Sequence, residues 1–412
     1  MELKPGYKLT EVGVIPEDWR VMPISSLCDI ISGGTPSTSF SAFWLNGDIP
    51  WCTPSDITET NGKYIYRTDR NITSLGLAKS SANLLPEGSL LLCSRATIGE
   101  VKIAKTEIAT NQGFKSLVCN YVDNEFMYYK VLTLKDKLLQ FSIGSTFLEF
   151  SKKDIEKLQI DIPQPEEQTA IATVLSDMDA LLDSLDCLIA KKRDIKQAAM
   201  QELLTGKTRL PGFEGEWEVK RLGDIANIQR GASPRPIDSP VWFDRNSTVG
   251  WVRIADITNA GRFLNETTQR LSSLGVKESR PVAAGSLIMS ICATVGRPII
   301  TNIDVCIHDG FVVFGKLETD QMFIYYVLKW IEPDWSKHGQ TGSQMNLNTG
   351  LINGTKIKLP SLSEQTAIAK VLSDMDAEIE ALEERRTKTQ NIKQGMMQEL
   401  LTGKTRLIAQ EG

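Results

Sequence analysis

The chain contains a long segment that it repeats almost unchanged. The sequence EEQTAIATVLSDMDA at 166–180 returns 197 residues later as SEQTAIAKVLSDMDA, and MQELLTGKTRL at 200–210 returns intact at the same offset. Between 163–210 and 360–407, 30 of 48 positions are identical. Solenoid repeats have units of roughly 20–50 residues, so this period is too long for a solenoid. The repetition therefore predicts a pseudo-two-fold protein built from two copies of a unit, each ending in a long helix.

Each repeated segment has the apolar spacing of a coiled-coil helix. In the first segment the expected seam residues are Ile171, Val174, Met178, Leu181, Leu185, Leu188 and Ile195. The second segment keeps the pattern less strictly, with Glu378 and Arg385 at apolar positions, and its expected seam residues are Ile368, Val371, Met375, Leu382, Ile392 and Met396. Because neither apolar stripe can stay in water, the helices are predicted to pack on each other, antiparallel. A helix over 166–204 is ~58 Å long at ~1.5 Å per residue.

The stretches between the helical segments differ from them in texture. They carry short apolar runs broken by Gly, Pro, Ser, Thr and Asn, which are typical of short strands and loops. One helix is predicted in each stretch, at 125–141 and 319–331. The expected fold class is α/β (α+β), with two mixed α/β globular domains separated by long antiparallel coiled-coil helices. The expected boundaries are a first domain at 1–162, a first helical spacer at 163–210, a second domain at 211–359 and a second helical spacer at 360–412.

The repeat continues into the globular stretches, but more weakly. WRVMPISSLCDIISGGTP at 19–36 aligns with WEVKRLGDIANIQRGASP at 217–234, and GSLLLCSRATIG at 88–99 aligns with GSLIMSICATVG at 285–296. The framework residues match, whereas the polar residues between them differ. This pattern predicts one fold that carries two different surfaces, as recognition of an asymmetric, two-part target requires.

Composition narrows the classes of function. No apolar run approaches the ~20 residues of a membrane span, and the N-terminus lacks a signal-peptide pattern, so a cytoplasmic protein is expected. The chain has only two histidines, which argues against a zinc site or a histidine base. Its seven cysteines are scattered without a CxxC pair, which favours reduced thiols. The net charge of −5 neither supports nor excludes DNA binding, because a local basic face decides it.

With its order of domain, helix, domain and helix, and with SEQTAIAKVLSDMDA and QELLTGKTRL motifs in both helices, the chain resembles the specificity subunit of a type I restriction–modification system. The resemblance covers essentially the whole chain. It implies two target-recognition domains, each reading one half of a bipartite double-stranded DNA target. It also implies that the helices set the spacing and bind two modification (adenine-N6 methyltransferase) subunits, which restriction subunits join. In such complexes S-adenosylmethionine, ATP and Mg belong to the partner subunits, and this chain is expected to hold no catalytic residue, metal or cofactor.

Two motifs invite other interpretations. TGKT at 205–208 lacks the glycine of a P-loop, since Gln201 stands there, and it follows a helix, whereas a P-loop precedes one. We interpret it as a helix-ending turn. Asp56 and Asp256 precede Ile-Thr at matched positions and resemble metal carboxylates, but a capping or turn aspartate explains them better.

Base reading needs side chains with donor and acceptor atoms on a rigid frame. Arg suits guanine, Asn or Gln suits adenine, and Ser or Thr suits phosphate. We expect such residues in loops whose framework matches between the domains but whose polar content diverges. In the first domain the candidates are Thr35, Ser37, Arg95, Thr97, Asn111, Gln112, Lys115, Ser145 and Thr146. In the second they are Arg230, Arg235, Arg253, Thr294, Arg297, His308, Lys337, Gln340, Gln344, Asn346 and Asn348.

The outer faces of the helices are the expected binding surface for the modification subunits. Repetition beyond the apolar seam points to the acidic residues Glu167, Asp177, Asp179, Glu364, Asp374 and Asp376, although acids in a first helical turn also favour the helix dipole. Two other functions stay open. One is a coiled-coil scaffold that binds proteins and not DNA; the other is a methyltransferase or nuclease, for which no catalytic motif stands out.

Inserting a few residues near 201–204 is expected to change the unread spacer of the DNA target and leave both half-sites unchanged, because helix length sets the separation of the two domains. Sequencing that detects N6-methyladenine, applied to cells expressing the chain with its modification subunit, measures that spacer. An active insertion variant that kept the original spacer would contradict the prediction.

Overall fold

The computed structural model divides into two compact units, and the divisions fall inside the two long helices. Unit 1 comprises residues 1–187 and 383–412, and unit 2 comprises residues 188–382. Each unit therefore contains one globular domain, the first half of one long helix and the second half of the other. The structure describes residues 3–142, 148–338 and 347–408.

The domain of unit 1 is built on a five-stranded and a four-stranded sheet. Its strands are β1 (Tyr7–Thr10), β2 (Gly13–Pro16), β3 (Arg20–Pro23), β4 (Cys28–Ser32), β5 (Ile49–Cys52), β6 (Tyr64–Ile65), β7 (Asn71–Ile72), β8 (Leu84–Leu85), β9 (Leu90–Leu92), β10 (Val101–Ala104), β11 (Ile108–Thr110), β12 (Lys115–Cys119) and β13 (Gln159–Ile162). Its helices are α1 (Pro54–Glu59), α2 (Ser74–Ala78), α3 (Asn124–Leu132), α4 (Lys135–Ser142), α5 (Lys152–Lys157) and the start of the long α6 (Pro165–Thr205). The sheet orders are β4-β12-β9-β10-β6 and β7-β5-β11-β8.

The domain of unit 2 has the same plan. Its strands are β14 (Glu218–Arg221), β15 (Asn227–Arg230), β16 (Gly250–Val252), β17 (Phe263–Leu264), β18 (Gln269–Arg270), β19 (Arg280–Val282), β20 (Leu287–Ser290), β21 (Pro298–Thr301), β22 (Val305–Ile307), β23 (Phe311–Gly315) and β24 (Lys356–Leu359). Its helices are α7 (Leu222–Ile225), α8 (Ile254–Asn259), α9 (Ser273–Lys277), α10 (Gln321–His338), α11 (Thr349–Gly354) and the start of the long α12 (Leu362–Leu400). The orders β15-β23-β20-β21-β17 and β18-β16-β22-β19 repeat those of unit 1 strand for strand.

The long helices were predicted with nearly correct ends. Pro165 begins α6 without losing a needed hydrogen bond, because the first N–H groups of a helix have no intrahelical acceptor. Gly206 follows the last turn with φ +72°, and the Lys207 N–H donates to the Glu202 carbonyl at 3.1 Å. This is the glycine-terminated end typical of helices. Interpreting TGKT as a helix-ending turn is therefore confirmed.

The shorter helices differ in detail from the prediction. The helix expected at 125–141 is two helices, α3 and α4. It breaks at Thr133, whose N–H and hydroxyl both donate to the Lys130 carbonyl, at 3.0 and 2.7 Å, and so close the last turn of α3. The helix expected at 319–331 is α10, which begins and ends later than expected.

Within unit 1 the first half of α6 and the second half of α12 run antiparallel. Asp179 pairs with Lys393, and Asp186 pairs with Arg386, so residue numbers rise along one helix as they fall along the other. The predicted antiparallel arrangement is confirmed. The corresponding pairs in unit 2 are Lys192–Glu378 and Lys196–Asp376.

A buried glutamine fastens the start of each long helix to its own domain. The Gln168 side-chain oxygen accepts a hydrogen bond from the Asp123 N–H at 2.9 Å, and its amide nitrogen donates to the Pro163 carbonyl at 3.0 Å. Gln365 makes the same two bonds in unit 2. The repeated EQTAIA sequence thus serves the joint between domain and helix as well as the helical seam.

The predicted seam of α6 was wrong in part. Leu181, Leu188 and Ile195 were expected in it, but they are 36%, 38% and 44% exposed. The adjacent Leu182 and Ile189 are buried instead. Leu181–Leu182 and Leu188–Ile189 are neighbouring apolar pairs, so spacing alone allows two registers. The buried positions are Ile171, Leu175, Leu182, Leu185 and Ile189, and in α12 they are Ile368, Leu372 and Ile379, with Ile392 exposed.

Leu182→Ala is expected to lower the free energy of unfolding by about 2–4 kcal/mol, because it removes a buried side chain and leaves a cavity. Leu181→Ala makes the same chemical change one residue away on the exposed side and is the matched control, with an expected loss below about 1 kcal/mol. Urea titration followed by circular dichroism measures both. Equal losses for the two variants would contradict the observed seam.

Candidate nucleic-acid interface

Three loops of unit 1 meet at one edge of the domain. The Thr35 hydroxyl donates to the Gln112 side-chain oxygen at 2.5 Å, which joins the loop after β4 to the loop after β11. The Ser94 N–H donates to the Gly113 carbonyl at 2.8 Å, which joins the loop after β9 to the same place. Three predicted candidates, Thr35, Arg95 and Gln112, are thus brought together at this edge.

At the matching edge of unit 2, Asp309 organises two arginines. The Arg230 Nε donates to the Asp309 carbonyl at 2.6 Å, and the Arg235 guanidinium lies 3.7 Å from its carboxylate. A hydrogen bond from Ser233 to that carboxylate, at 2.7 Å, holds the pKa of Asp309 below its usual range. Asp309 is therefore ionised at neutral pH. The Arg235 side chain is 72% exposed, so its guanidinium remains accessible to a ligand.

Both units carry an alanine in a left-handed backbone conformation at this edge. Ala96 follows β9 with φ +62°, and Ala293 follows β20 with φ +57°. A side chain makes this conformation costly for residues other than glycine, and such strain is concentrated at functional sites. The same unusual turn therefore presents Arg95 in unit 1 and Thr294 in unit 2.

His308 and Asn111 occupy the same place in the two units. The His308 Nδ1 accepts a hydrogen bond from the Gly310 N–H at 2.9 Å, as the Asn111 side-chain oxygen does from Gly113 at 2.8 Å. Burial lowers the pKa of His308, so the ring is neutral at neutral pH. Because Nδ1 accepts, Nε2 carries the proton and is a donor. The His308 Nε2–H donor of unit 2 thus occupies the position that the Asn111 side-chain amide occupies in unit 1.

Sequence reasoning missed one further matched pair, Asn83 and Arg280. The Asn83 amide donates to the Ser32 carbonyl at 2.9 Å, and the Arg280 Nε donates to the Arg230 carbonyl at 2.5 Å. Arg280 also donates to the Gln229 side-chain oxygen at 2.9 Å. The two residues are 197 positions apart, the offset of the helical repeat, so extending that alignment would have found them. Amide and guanidinium groups are the side chains that suit different bases.

Other candidates are placed where a ligand can reach them. Ser37 is exposed, and its hydroxyl lies 2.8 Å from that of Ser39. Arg253 is exposed at the start of α8. Asn348 is exposed but also caps α11, since its side-chain oxygen accepts from the Leu351 N–H at 2.7 Å.

Three candidates lie differently from the expectation. Lys115 is buried and its ammonium is 3.0 Å from the Glu149 carboxylate, so we withdraw it as a DNA contact. The Thr97 hydroxyl is buried without a hydrogen-bond partner within the described ranges. Arg297 is half-buried and donates to the Ala260 carbonyl at 3.3 Å. Lys337 lies in α10 but its side chain is outside the described part of the structure, as are Ser145, Thr146, Gln340, Gln344 and Asn346.

The expected partner-binding acids mostly serve the interior. Glu167 is 1% exposed; Arg406 donates to it at 2.7 Å and Trp19 at 3.0 Å. Their repetition thus reflects contacts inside each unit, and the expectation of a free outer face was wrong for four of the six. The other three acids are also paired within their units: Glu364 with Arg209, Asp179 with Lys393 and Asp376 with Lys196. Asp177 and Asp374 are exposed, as expected.

Asp56 and Asp256 are turn and capping residues. The Asp56 carboxylate accepts hydrogen bonds from the Thr53 and Asp69 N–H groups, both at 2.7 Å. Asp256 makes the equivalent bonds with Arg253 and Thr268, at 2.8 and 3.0 Å. The capping interpretation is confirmed. Within residues 3–142, 148–338 and 347–408, no group of three or more His, Cys, Asp or Glu side chains could hold a metal ion, and no helix is long and apolar enough to cross a membrane.

The chain matches the family model of the type I restriction modification DNA specificity domain twice, over residues 16–191 and 214–393. Each match covers one globular domain and the first part of the long helix that follows it. The double match therefore corresponds to the internal repeat.

Individual proteins show the same similarity. The MjaIX type I restriction enzyme specificity subunit of Methanocaldococcus jannaschii is 34% identical over 285 residues, which cover 63% of this chain and 64% of that relative. The MjaVIII specificity subunit of the same organism is 25% identical, covering 95% of this chain and 94% of the relative. The crystal structure of the S subunit from M. genitalium has the same fold, with a TM-score of 0.58 at 17% identity, covering 97% of this chain and 99% of that one.

Arg280→Asn is expected to weaken binding of the original DNA target by about 1–3 kcal/mol and to change the preferred base at one position, because a guanidinium and an amide suit different base edges. Arg221→Asn, on β14 and outside this edge, removes the same charge and is the control. Competition binding against a library with one randomised half-site measures both. An unchanged base preference for Arg280→Asn would contradict a reading role.

Proposed function

The chain belongs to the type I restriction modification DNA specificity family, and from this membership we propose how its parts divide the work. It is a DNA specificity subunit with two target-recognition domains. In our proposal the domain of unit 1 reads one half of a bipartite, asymmetric DNA sequence, and the domain of unit 2 reads the other half.

The proposal rests mainly on one observation: the two domains share a backbone framework at their matched edges but carry different polar side chains on it. At the matched edges the backbone contacts repeat, including the left-handed turns at Ala96 and Ala293. The side chains that this frame presents do not repeat: Asn83 in unit 1 corresponds to Arg280 in unit 2, and Asn111 corresponds to His308. Different donor and acceptor sets on one frame favour two different base sequences.

The basic residues at the edge of unit 2 support contact with DNA despite the net negative charge of the chain. Arg230, Arg235 and Arg280 are held by bonds to backbone or side-chain oxygens, and these bonds reduce the freedom that each would lose on binding. A guanidinium that is fixed by one bond retains other N–H groups for a base or phosphate. The charge needed for DNA is thus local, as binding to phosphates requires.

In this proposal the chain does no chemistry itself. Two modification subunits bind along the exposed faces of the long helices, restriction subunits join them, and S-adenosylmethionine, ATP and Mg are bound by those partners. The exposed Asp177 and Asp374 lie at matched positions on α6 and α12, which favours a partner that is used twice. Extrusion of the target adenine costs a few kcal/mol, and clamping of both half-sites by this chain supplies part of it.

Expression of the chain with its modification subunit is expected to methylate one asymmetric two-part motif on both strands of the cell's DNA. Sequencing that detects N6-methyladenine measures it. Exchanging the domain of unit 2, residues 211–359, for that of a relative should change one half of the motif and retain the other.

The control is the purified chain alone with S-adenosylmethionine or with Mg²⁺ and DNA, which should neither methylate nor cut. Activity of the chain alone would overturn the proposal that it is non-catalytic. An assembled complex that methylates no DNA and binds none would favour the scaffold function over DNA reading.

A further inference from the structure

We propose that a notch in unit 1, between the domain and α6, accepts a lysine or arginine side chain of the modification subunit. The inference rests on the proposed function for the identity of that subunit. The notch has a volume of about 700 Å³, which exceeds one side chain and admits the edge of a loop or helix. Its walls include Tyr64, Tyr66, Tyr128, Ser176, Asp177 and Asp183.

Tyr128 contributes a hydroxyl that no described residue of unit 1 binds. Its side chain lines the notch although the residue is only 8% exposed, and its ring packs edge-on against Tyr129. Its hydroxyl has no hydrogen-bond partner within the described residues, whereas the neighbouring Tyr129 hydroxyl donates to Asp179 at 2.5 Å. The hydroxyl opens into the notch, so it offers an acceptor position to an incoming N–H group.

Two carboxylates of the notch, those of Asp177 and Asp183, have no cation partner among the described residues. Asp177 and Asp183 are exposed on α6, and neither forms an ion pair within the described ranges. The cations nearby are already engaged, since Lys63 pairs with Glu125 and donates to Ser176 at 2.6 Å. Two free carboxylates, an open hydroxyl and tyrosine rings together suit a guanidinium or ammonium group.

At the equivalent position in unit 2, the carboxylates are paired with cations of the same unit. Asp374 corresponds to Asp177, but Lys370 pairs with it at 2.9 Å, and Thr173 stands at the position of that lysine in unit 1. Glu380 corresponds to Asp183 and lies 3.8 Å from Arg262. Unit 1 has no counterpart of Lys370, and its counterpart of Arg262, Lys63, pairs with Glu125 instead, so unit 1 is the one that takes a cation from outside.

The negative charge decides which macromolecule fits. Free carboxylates repel DNA phosphates, so a nucleic acid is disfavoured there. The notch adjoins the exposed face of α6, which the proposed function assigns to the modification subunit. A basic side chain from that protein therefore completes the notch, and only one of two bound copies finds it in this form.

The test is the double variant Asp177→Asn with Asp183→Asn in the full-length chain. Calorimetric titration with the modification subunit, at low and high salt, should show one of two sites weakened about five- to tenfold at low salt and less at high salt, because salt screens the lost attraction. The control, Glu380→Gln at the counterpart of Asp183, should change affinity less than about twofold, since Arg262 faces that carboxylate within the unit. Tyr128→Phe, which removes only the hydroxyl, should weaken the same site. Ala180→Arg, which places a cation in the notch from α6, should do so as well.

Unchanged binding by the double variant and by Ala180→Arg would overturn the inference. So would binding of spermidine that depends on the two carboxylates while binding of the subunit does not, because the notch would then take a free polyamine. Failure of the unmutated chain to bind the modification subunit would instead overturn the proposed function, and the notch proposal with it.

Discussion

A buried carboxylate–guanidinium pair holds each unit together. In unit 1 it joins Glu167, at the start of α6, to Arg406, just after the end of α12; in unit 2 it joins Glu364 to Arg209. Removing the arginine of either pair leaves a buried carboxylate uncompensated, which destabilises the unit. Each pair connects segments that are 155 or 239 residues apart in the chain. The pairing of the antiparallel helices and the attachment of each domain to them depend on this closure.

The two long helices have identical C-terminal sequences, but the domain residues that contact those ends differ between the units. MQELLTGKTRL ends both long helices, yet only in unit 1 does a buried lysine, Lys130, donate to the Leu401 carbonyl at 2.7 Å and pair with Asp161 at 2.6 Å. Burial lowers the pKa of Lys130, and Asp161 opposes that effect. At the equivalent place unit 2 has Val327, part of its apolar core. Repetition in the helices therefore coexists with divergence in the domains that receive them, which is also the pattern at the candidate DNA edges.

Sequence alone predicted the helices, the repeat and the fold class, because these follow from spacing and turn residues. It chose the wrong seam register at Leu181 because Leu182 is equally apolar, and only packing decides between them. It assigned Glu167 to an outer face because identity between repeats marks a contact without saying on which side the contact lies. It counted Lys115 as free because nothing nearby in sequence announces Glu149. Arg280 was missed because its place at the edge depends on a hydrogen bond to the Arg230 carbonyl, 50 residues away in the chain.

The left-handed alanines at 96 and 293 bear on how the edges meet a ligand. Glycine would adopt these turns freely, but it would also leave the loops more conformations to lose when a ligand binds. Alanine makes the turn harder to form and, once the fold has formed it, harder to leave. The loop therefore loses part of its conformational entropy during folding, and it has less to lose when a ligand binds. Each edge is therefore preorganised before binding. Its preference among DNA bases depends on which side-chain groups it holds in fixed positions.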